Sequence, residues 1–181
     1  MNIQEQALQV AITQIGQEEK PRGSNWGHPV QDYLMSVGIN FAASWCMAFL
    51  YWCFEHAASQ TSQKNPMFKT GGVLAQWNNS LAHRVTVNVP ADIHPGDIFI
   101  MDFGHGLGHT GIIELVEANG TLHTIEGNTN DTGSREGYEV CRRQRRWNNK
   151  MMKGFLRFGF EKNRRPSLQR EFLDRRSCFA G

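Results

Sequence analysis

A cysteine at the head of an aromatic helix, with a histidine and a glutamate at facing strand ends, has the makings of thiol chemistry. The stretch Ser44-Trp45-Cys46-Met47-Ala48-Phe49-Leu50-Tyr51-Trp52-Cys53-Phe54-Glu55-His56 reads as a helix carrying a thiol in its first turn. Trp45, Phe49, Trp52 and His56 recur at helical spacing, and so do Cys46, Leu50, Cys53 and Phe54. A helix apolar nearly all round is buried rather than laid on a surface. Ser44 is the expected N-cap, its hydroxyl accepting from a first-turn N–H. Cys46 then lies over the positive end of the helix dipole, where a thiolate is stabilised.

A nucleophilic thiol needs a base for its proton and a third group to orient that base. The candidates are His28, His56, His83, His94, His105, His109 and His123. His109 follows Gly-Leu-Gly and opens the apolar run TGIIELV, which puts it at a rigid strand end beside flexible backbone. The neighbouring strand ends in Glu126-Gly127-Asn128. In an antiparallel pair the end of one strand lies beside the start of the other. Glu126 or Asn128 is thus placed to hydrogen-bond the His109 ring and fix its tautomer.

The elements that position these groups follow from periodicity. Residues 3–16 predict a first helix with Ile3, Ala7, Leu8, Ala11, Ile12 and Ile15 as its apolar stripe. EEKPRGSNWGHP reads as a loop, and PVQDYLMSVG as a short helix. The Cys46 helix runs to about Ala58, and residues 71–82 make a weaker one. HRVTVNVP then has period two, and HPGDIFIMDFG is a turn feeding an apolar strand. Strands are expected at Thr110–Glu117, Thr121–Glu126, Tyr138–Arg146 and Lys153–Phe160. Helices first and antiparallel strands after them define an α+β layout, with the helices on one face of the sheet.

The 181 residues are 40% hydrophobic and include eleven Phe and five Trp, enough for one core. No run approaches the roughly 18 apolar residues of a membrane span. The N-terminal segment reads as an amphipathic helix rather than a secretion signal. The four cysteines form no CxxC pair, as expected of reduced thiols in a protein folded in the cytosol. Net charge +2 hides an asymmetry. Residues 1–141 carry six Lys/Arg against fourteen Asp/Glu, whereas residues 142–181 carry thirteen against three. We expect residues 1–161 to form the domain and 162–181 a basic tail. That tail either balances an acidic body or draws the protein to an anionic polymer by long-range attraction. It has no nucleic-acid-binding motif.

Taken together, the motifs resemble the cysteine, histidine-dependent amidohydrolase/peptidase (CHAP) family of peptidoglycan hydrolases. The resemblance rests on Trp45-Cys46, His94-Pro95-Gly96-Asp97, Gly108-His109-Thr110-Gly111-Ile112-Ile113 and Ile125-Glu126-Gly127-Asn128-Thr129, in that order. The Ser24-Asn25-Trp26-Gly27 loop and the Tyr33 helix also look like this family's N-terminal region. The likeness spans roughly residues 5–160. It implies a papain-like fold, within the group that includes the NlpC/P60 peptidases, cutting an amide of bacterial cell wall. By position it makes Cys46 the nucleophile, His109 the base, Glu126 the orienting group and Asn128 an assisting polar residue, with Asn25, Trp26 and Trp45 binding substrate. In NlpC/P60 enzymes the third group is usually a histidine, whereas here it is Glu126.

The resemblance implies no cofactor. Some members carry an Asp-rich calcium loop, but here the N-terminal loop offers only Asn25, His28 and Asp32, so no metal is expected. The spacing of His105 and His109 would present two zinc ligands only on a helix. Gly104, Gly106 and Gly108 argue against one. Peptidoglycan is the expected partner of a monomer, along with an immunity or delivery protein; no nucleic-acid partner is expected. The enzyme would act in the periplasm or wall, including that of a target cell, reached by phage lysis or by injection. Cys53 is expected in the core, Cys141 in a strand and Cys178 in the tail. His56 is expected to cap its helix, and Glu126→Gln to be milder than loss of His109. Two other readings stay open: a catalytically inactive wall-binding module, and a thiol acyltransferase acting on a non-wall amide.

Overall fold

Alternation along the central strands sorts the apolar side chains onto two faces of one sheet. The computed structural model describes residues 2–130 and 137–159. In chain order these form helices α1 (Ile3–Thr13), α2 (Val30–Ser36), α3 (Cys46–Gln60) and α4 (Val73–Asn79), then strand β1 (His83–Arg84) and a 3-10 turn (Pro90–Asp92). Strands β2 (Ile98–Gly104), β3 (Leu107–Val116), β4 (Thr121–Thr129), β5 (Glu139–Arg146) and β6 (Met152–Arg157) follow. The described strands make one antiparallel sheet in the order β1-β6-β2-β3-β4-β5. The fold is α+β, helices first, as the pattern of the chain predicts. No helix among the described residues is long and apolar enough to cross a membrane. The basic tail, with Cys178, lies outside the described residues.

On one face Ile98, Ile100, Ile112, Ile125 and Leu156 pack with the helices. At the centre lies α3, in which Met47, Ala48, Phe49, Leu50, Cys53, Phe54 and Ala57 are fully buried. A buried side chain of Leu or Phe size contributes about 1.5–3 kcal/mol, so burial alone anchors this helix. Tyr33 of α2 sits among the rings of Trp45, Phe49 and Trp52, with centroids 5.2–5.7 Å away. A capping box starts α1: Asn2 Oδ1 accepts from Glu5 N–H at 2.9 Å, and Glu5 Oε2 accepts from Asn2 N–H at 3.0 Å. Pro29 lies just before α2, in the N-cap position.

Phe99, Met101, Ile113, Leu122 and Phe155 point to the opposite face. Among the described residues no α-helix packs on it; Val85 and Val87 pack there instead. This corrects the strand expected from the period-two run beginning at His83. Only His83–Arg84 pair with β6, as a strand. The Asp92 carboxylate accepts from the N–H groups of Asn88 at 2.8 Å and Val89 at 3.0 Å, and Pro90 opens the 3-10 turn. Those bonds draw the amides out of any ladder, so the alternating valines cover the sheet rather than extend it.

The His94-Pro95-Gly96-Asp97 turn is held from below. Asp97 is fully buried, and Arg157 of β6 grips it with two bonds, Nε to Oδ1 at 2.7 Å and Nη2 to Oδ2 at 2.6 Å. Its Oδ2 also accepts from His94 N–H at 2.8 Å. Such a bidentate pair fixes where β2 begins, and β2 carries β3 and hence His109.

Candidate active site

Helix α3 delivers the thiol. Its N-cap is Trp45, not Ser44, and among the described residues no side chain caps it. Ser44 is exposed and lines a cleft together with Cys46, Gly71, Gly72, Val73, Gly106, Leu107, Gly108, His109 and Asn128. That cleft measures about 170 Å³. The first-turn N–H groups of an uncapped helix have no intrahelical partner, so the helix end faces the cleft with its donors free of a cap. Cys46 is 5% exposed and is one of the residues that line the cleft.

Strand β3 delivers the imidazole. His109 lies opposite Met101, its ring is 2% exposed, and Phe99 packs beside it with centroids 6.1 Å apart. His109 Nε2 is 2.7 Å from Glu126 Oε2, a contact made wholly inside the protein. With Nε2 engaged, Nδ1 is the nitrogen left for the thiol; it makes no regular hydrogen bond, while Cys46 is close enough to act on the ring. Burial alone would push the imidazole down. The Cys46 thiol and the Glu126 carboxylate outweigh it and raise His109 from 6.5 to about 9. An imidazole so placed holds a proton at neutral pH when a thiolate faces it.

Strand β4 delivers the carboxylate. Glu126 is fully buried and accepts four hydrogen bonds. Besides His109 at Oε2, its Oε1 accepts from Thr124 Oγ1 at 2.6 Å and from Arg145 Nε at 2.9 Å, and its Oε2 accepts from Arg145 Nη2 at 2.6 Å. Burial would raise Glu126, but Arg145 and then His109 hold it down at about 2. Arg145 and Thr124 complete the site, and sequence reasoning missed both.

Room for the carboxylate comes from Gly111. A Cβ there would stand 2.6 Å from Glu126 Cγ and 2.8 Å from both the Ile125 carbonyl oxygen and Phe99. Gly111→Ala is therefore expected to cost about 1–3 kcal/mol of stability and to lower turnover by displacing Glu126. Thermal unfolding and hydrolysis assays on one preparation check both effects.

Asn128 lies past a register shift in β4, with φ of 56°. Asparagine tolerates this left-handed conformation better than most residues. It is 1% exposed and lines the cleft, and its Oδ1 has no partner among the described residues. Glu126, not Asn128, bonds the His109 ring.

The residues expected to touch substrate lie elsewhere. Trp45 is fully buried, and its indole Nε1 donates to Glu19 Oε1 at 2.8 Å. That corrects its placement as a substrate contact: it offers a ligand no surface and instead ties the N-terminal loop to α3. Glu19 Oε2 accepts from Asn25 N–H at 2.9 Å, and Trp26 packs half-buried against the helical core. Neither Asn25 nor Trp26 lines the cleft.

Two other cysteines and two other histidines have different places in the fold. Cys53 is fully buried, and burial pushes its thiol well up, which suits a core residue. Cys141 lies opposite Glu126 on β5. His56 is not at a helix end, because α3 runs on to Gln60; its Nδ1 donates to the Trp52 carbonyl at 3.0 Å, and its ring lies on the Trp52 indole. His105 sits in the β2–β3 turn with φ of 52°.

An uncapped helix bearing a thiol, set against a buried histidine–carboxylate pair on an antiparallel sheet, is the arrangement of a papain-like α+β fold. The family model of the CHAP domain matches residues 38–128, and the chain belongs to that family. The crystal structure of the wild-type endolysin LysIME-EF1 is similar in fold, with a TM-score of 0.59 and 18% identity. The similarity covers 90% of this chain and 67% of that one. No curated protein matches.

Proposed function

We propose that this protein is a peptidoglycan hydrolase that cuts an amide bond of bacterial cell wall through Cys46, His109 and Glu126. The bond is muramoyl–L-alanine or one in a stem or cross-bridge peptide. The observation that carries the reading is the buried 2.7 Å contact from His109 Nε2 to Glu126, which leaves the other ring nitrogen for a thiol at an uncapped helix start.

In the proposed reaction the Cys46 proton passes to His109, and the thiolate attacks the scissile carbonyl carbon. The free N–H groups at the head of α3 and the Ser44 hydroxyl are the donors available to the developing oxyanion. His109 then returns its proton to the leaving amine, and a thioester remains on Cys46. Water, deprotonated by His109, attacks the thioester; the carboxylic acid departs and the thiol is restored. Glu126 stays ionised throughout and stabilises the imidazolium. The cleft beside Cys46 is floored by Gly71, Gly72 and Gly108, which bring backbone rather than side chains to the substrate.

Residues 1–161 act in this reading as the catalytic unit, and 162–181 as a basic appendage to it. Incubation with purified sacculi, followed by mass spectrometry of the soluble products, tests the proposal. Fragments with a new amino and a new carboxyl end are expected, and their masses name the bond. Tight sacculus binding without release of any fragment would leave an inactive wall-binding module. Acyl transfer to an added amine in place of hydrolysis would make it an acyltransferase.

A further inference from the structure

A fully buried carboxylate beside a histidine is not by nature an acceptor. Burial disfavours its charge, and a protonated Glu126 could donate to His109 Nε2 instead of accepting from it. The histidine would then carry its proton on Nδ1, the nitrogen facing the thiol, and could not take another. Something must keep Glu126 ionised for the site to work.

We propose that Arg145 is the positioning residue that does so: its two-pronged grip on Glu126 makes the carboxylate an acceptor only, and thereby sets the His109 tautomer. The inference rests on the catalytic roles proposed above for Cys46, His109 and Glu126. Arg145 stands opposite Leu122 on β5, across from the strand that carries Glu126. Its side chain is 17% exposed, and it lines no part of the cleft, so it acts through Glu126 rather than on substrate. The fork fixes both oxygens: Nε takes Oε1 and Nη2 takes Oε2, the oxygen that also faces His109. Thr124 Oγ1 donates to Oε1, so the remaining acceptor site on Oε2 is satisfied by an N–H of His109. The groups facing Glu126 are thus His109 from β3, Thr124 from β4, and Arg145 and Cys141 from β5, with Cys46 of α3 beyond the ring. Arg145 is the permanent cation among them.

The sign of the effect follows. Without Arg145, Glu126 is protonated at a higher pH, and below that point the imidazolium that faces the thiol loses its counter-charge. The acid limb of thiol reactivity then moves to higher pH. A residue that only held β5 in place would lower reactivity at every pH and leave the limb where it was.

The test is alkylation of Cys46 by iodoacetamide across pH, read by peptide mass spectrometry so that Cys53, Cys141 and Cys178 do not interfere. Hydrolysis of sacculi is measured alongside, and circular dichroism checks the fold. Arg145→Gln is expected to move the acid limb of Cys46 alkylation up by about 1–2 pH units, a shift typical of losing one adjacent charge. Arg145→Lys keeps the charge without the fork and is expected to shift it by less, about half a unit. Coincident limbs in the wild type and both variants would overturn the proposal. Should Arg145→Gln not fold, a coincident limb in Arg145→Lys alone would do so. Because alkylation needs no wall substrate, a shifted limb with no cleavage of peptidoglycan by any form would refute the substrate reading and leave this one standing.

Discussion

Cys46→Ser is expected to reduce hydrolysis of sacculi by at least about 10³-fold while leaving the fold intact. A hydroxyl holds its proton far more tightly than a thiol, so the ion pair with His109 cannot form in advance of attack. Little repacking is needed, because serine is close to cysteine in size and the site borders the cleft. Turnover and circular dichroism on the same preparation decide the matter. Near-native activity in the serine variant would remove Cys46 from the mechanism. Cys53→Ser is the matched control, two turns along the same helix. Its thiol is fully buried in apolar surroundings, so a hydroxyl there is expected to cost about 1–3 kcal/mol and to spare the chemistry.

The parts of this site that were legible in the sequence are those fixed locally. A thiol at the start of an all-apolar helix needs no tertiary information to be recognised, since periodicity alone buries the helix. The facing of His109 and Glu126 also followed from chain order, because consecutive antiparallel strands joined by a short turn place their far ends together. What could not be read depends on register between strands joined by a longer connection. The segment Arg142-Arg143-Gln144-Arg145-Arg146 looks like a uniformly solvated basic run. Only the pairing of Leu122 with Arg145 and of Thr124 with Arg143 selects which arginines share the face of Glu126. A slip of one residue would have turned Arg142 and Arg146 inward instead. Arg142 in fact pairs with Glu114 on the exposed side.

Ser44 and the valine run depart from their local patterns for a related reason. A serine before a helix, or an alternating strand pattern, states a local preference, and tertiary contacts then decide. Trp45, held by Glu19, sets the entry angle of α3, so Ser44 is left outside the helix. Trp45 itself shows the converse: an aromatic residue beside a nucleophile suggests a substrate contact, yet the Glu19 bond and full burial make it a strut.

The arginine also changes what substitution of Glu126 should do. His109→Ala is expected to cost about 10³–10⁴-fold in turnover, much like loss of Cys46, because residues acting as one unit are non-additive. From the sequence alone Glu126→Gln reads as the gentler change, an amide that can still hold the ring. The four bonds to the carboxylate make the change harsher than that reading suggests. Both oxygens accept, from Thr124, Arg145 and His109, and a glutamine has one acceptor oxygen and one donor nitrogen. If the oxygen faces His109 and Nη2, the amide nitrogen meets the Nε donor of Arg145, and a half-buried guanidinium loses its counter-charge. If the amide is turned, its N–H groups face His109 Nε2 and draw the ring proton to Nδ1, the wrong side for accepting from the thiol. Glu126→Gln is therefore expected to cost at least about 10²-fold in turnover, and a few kcal/mol of stability from the uncompensated cation. Pairing it with Arg145→Gln removes that cation, so thermal stability should partly recover while activity stays low, since no carboxylate remains to stabilise the imidazolium. Turnover of Glu126→Gln within a few-fold of wild type would show that the carboxylate neither sets the tautomer nor stabilises the charge on His109.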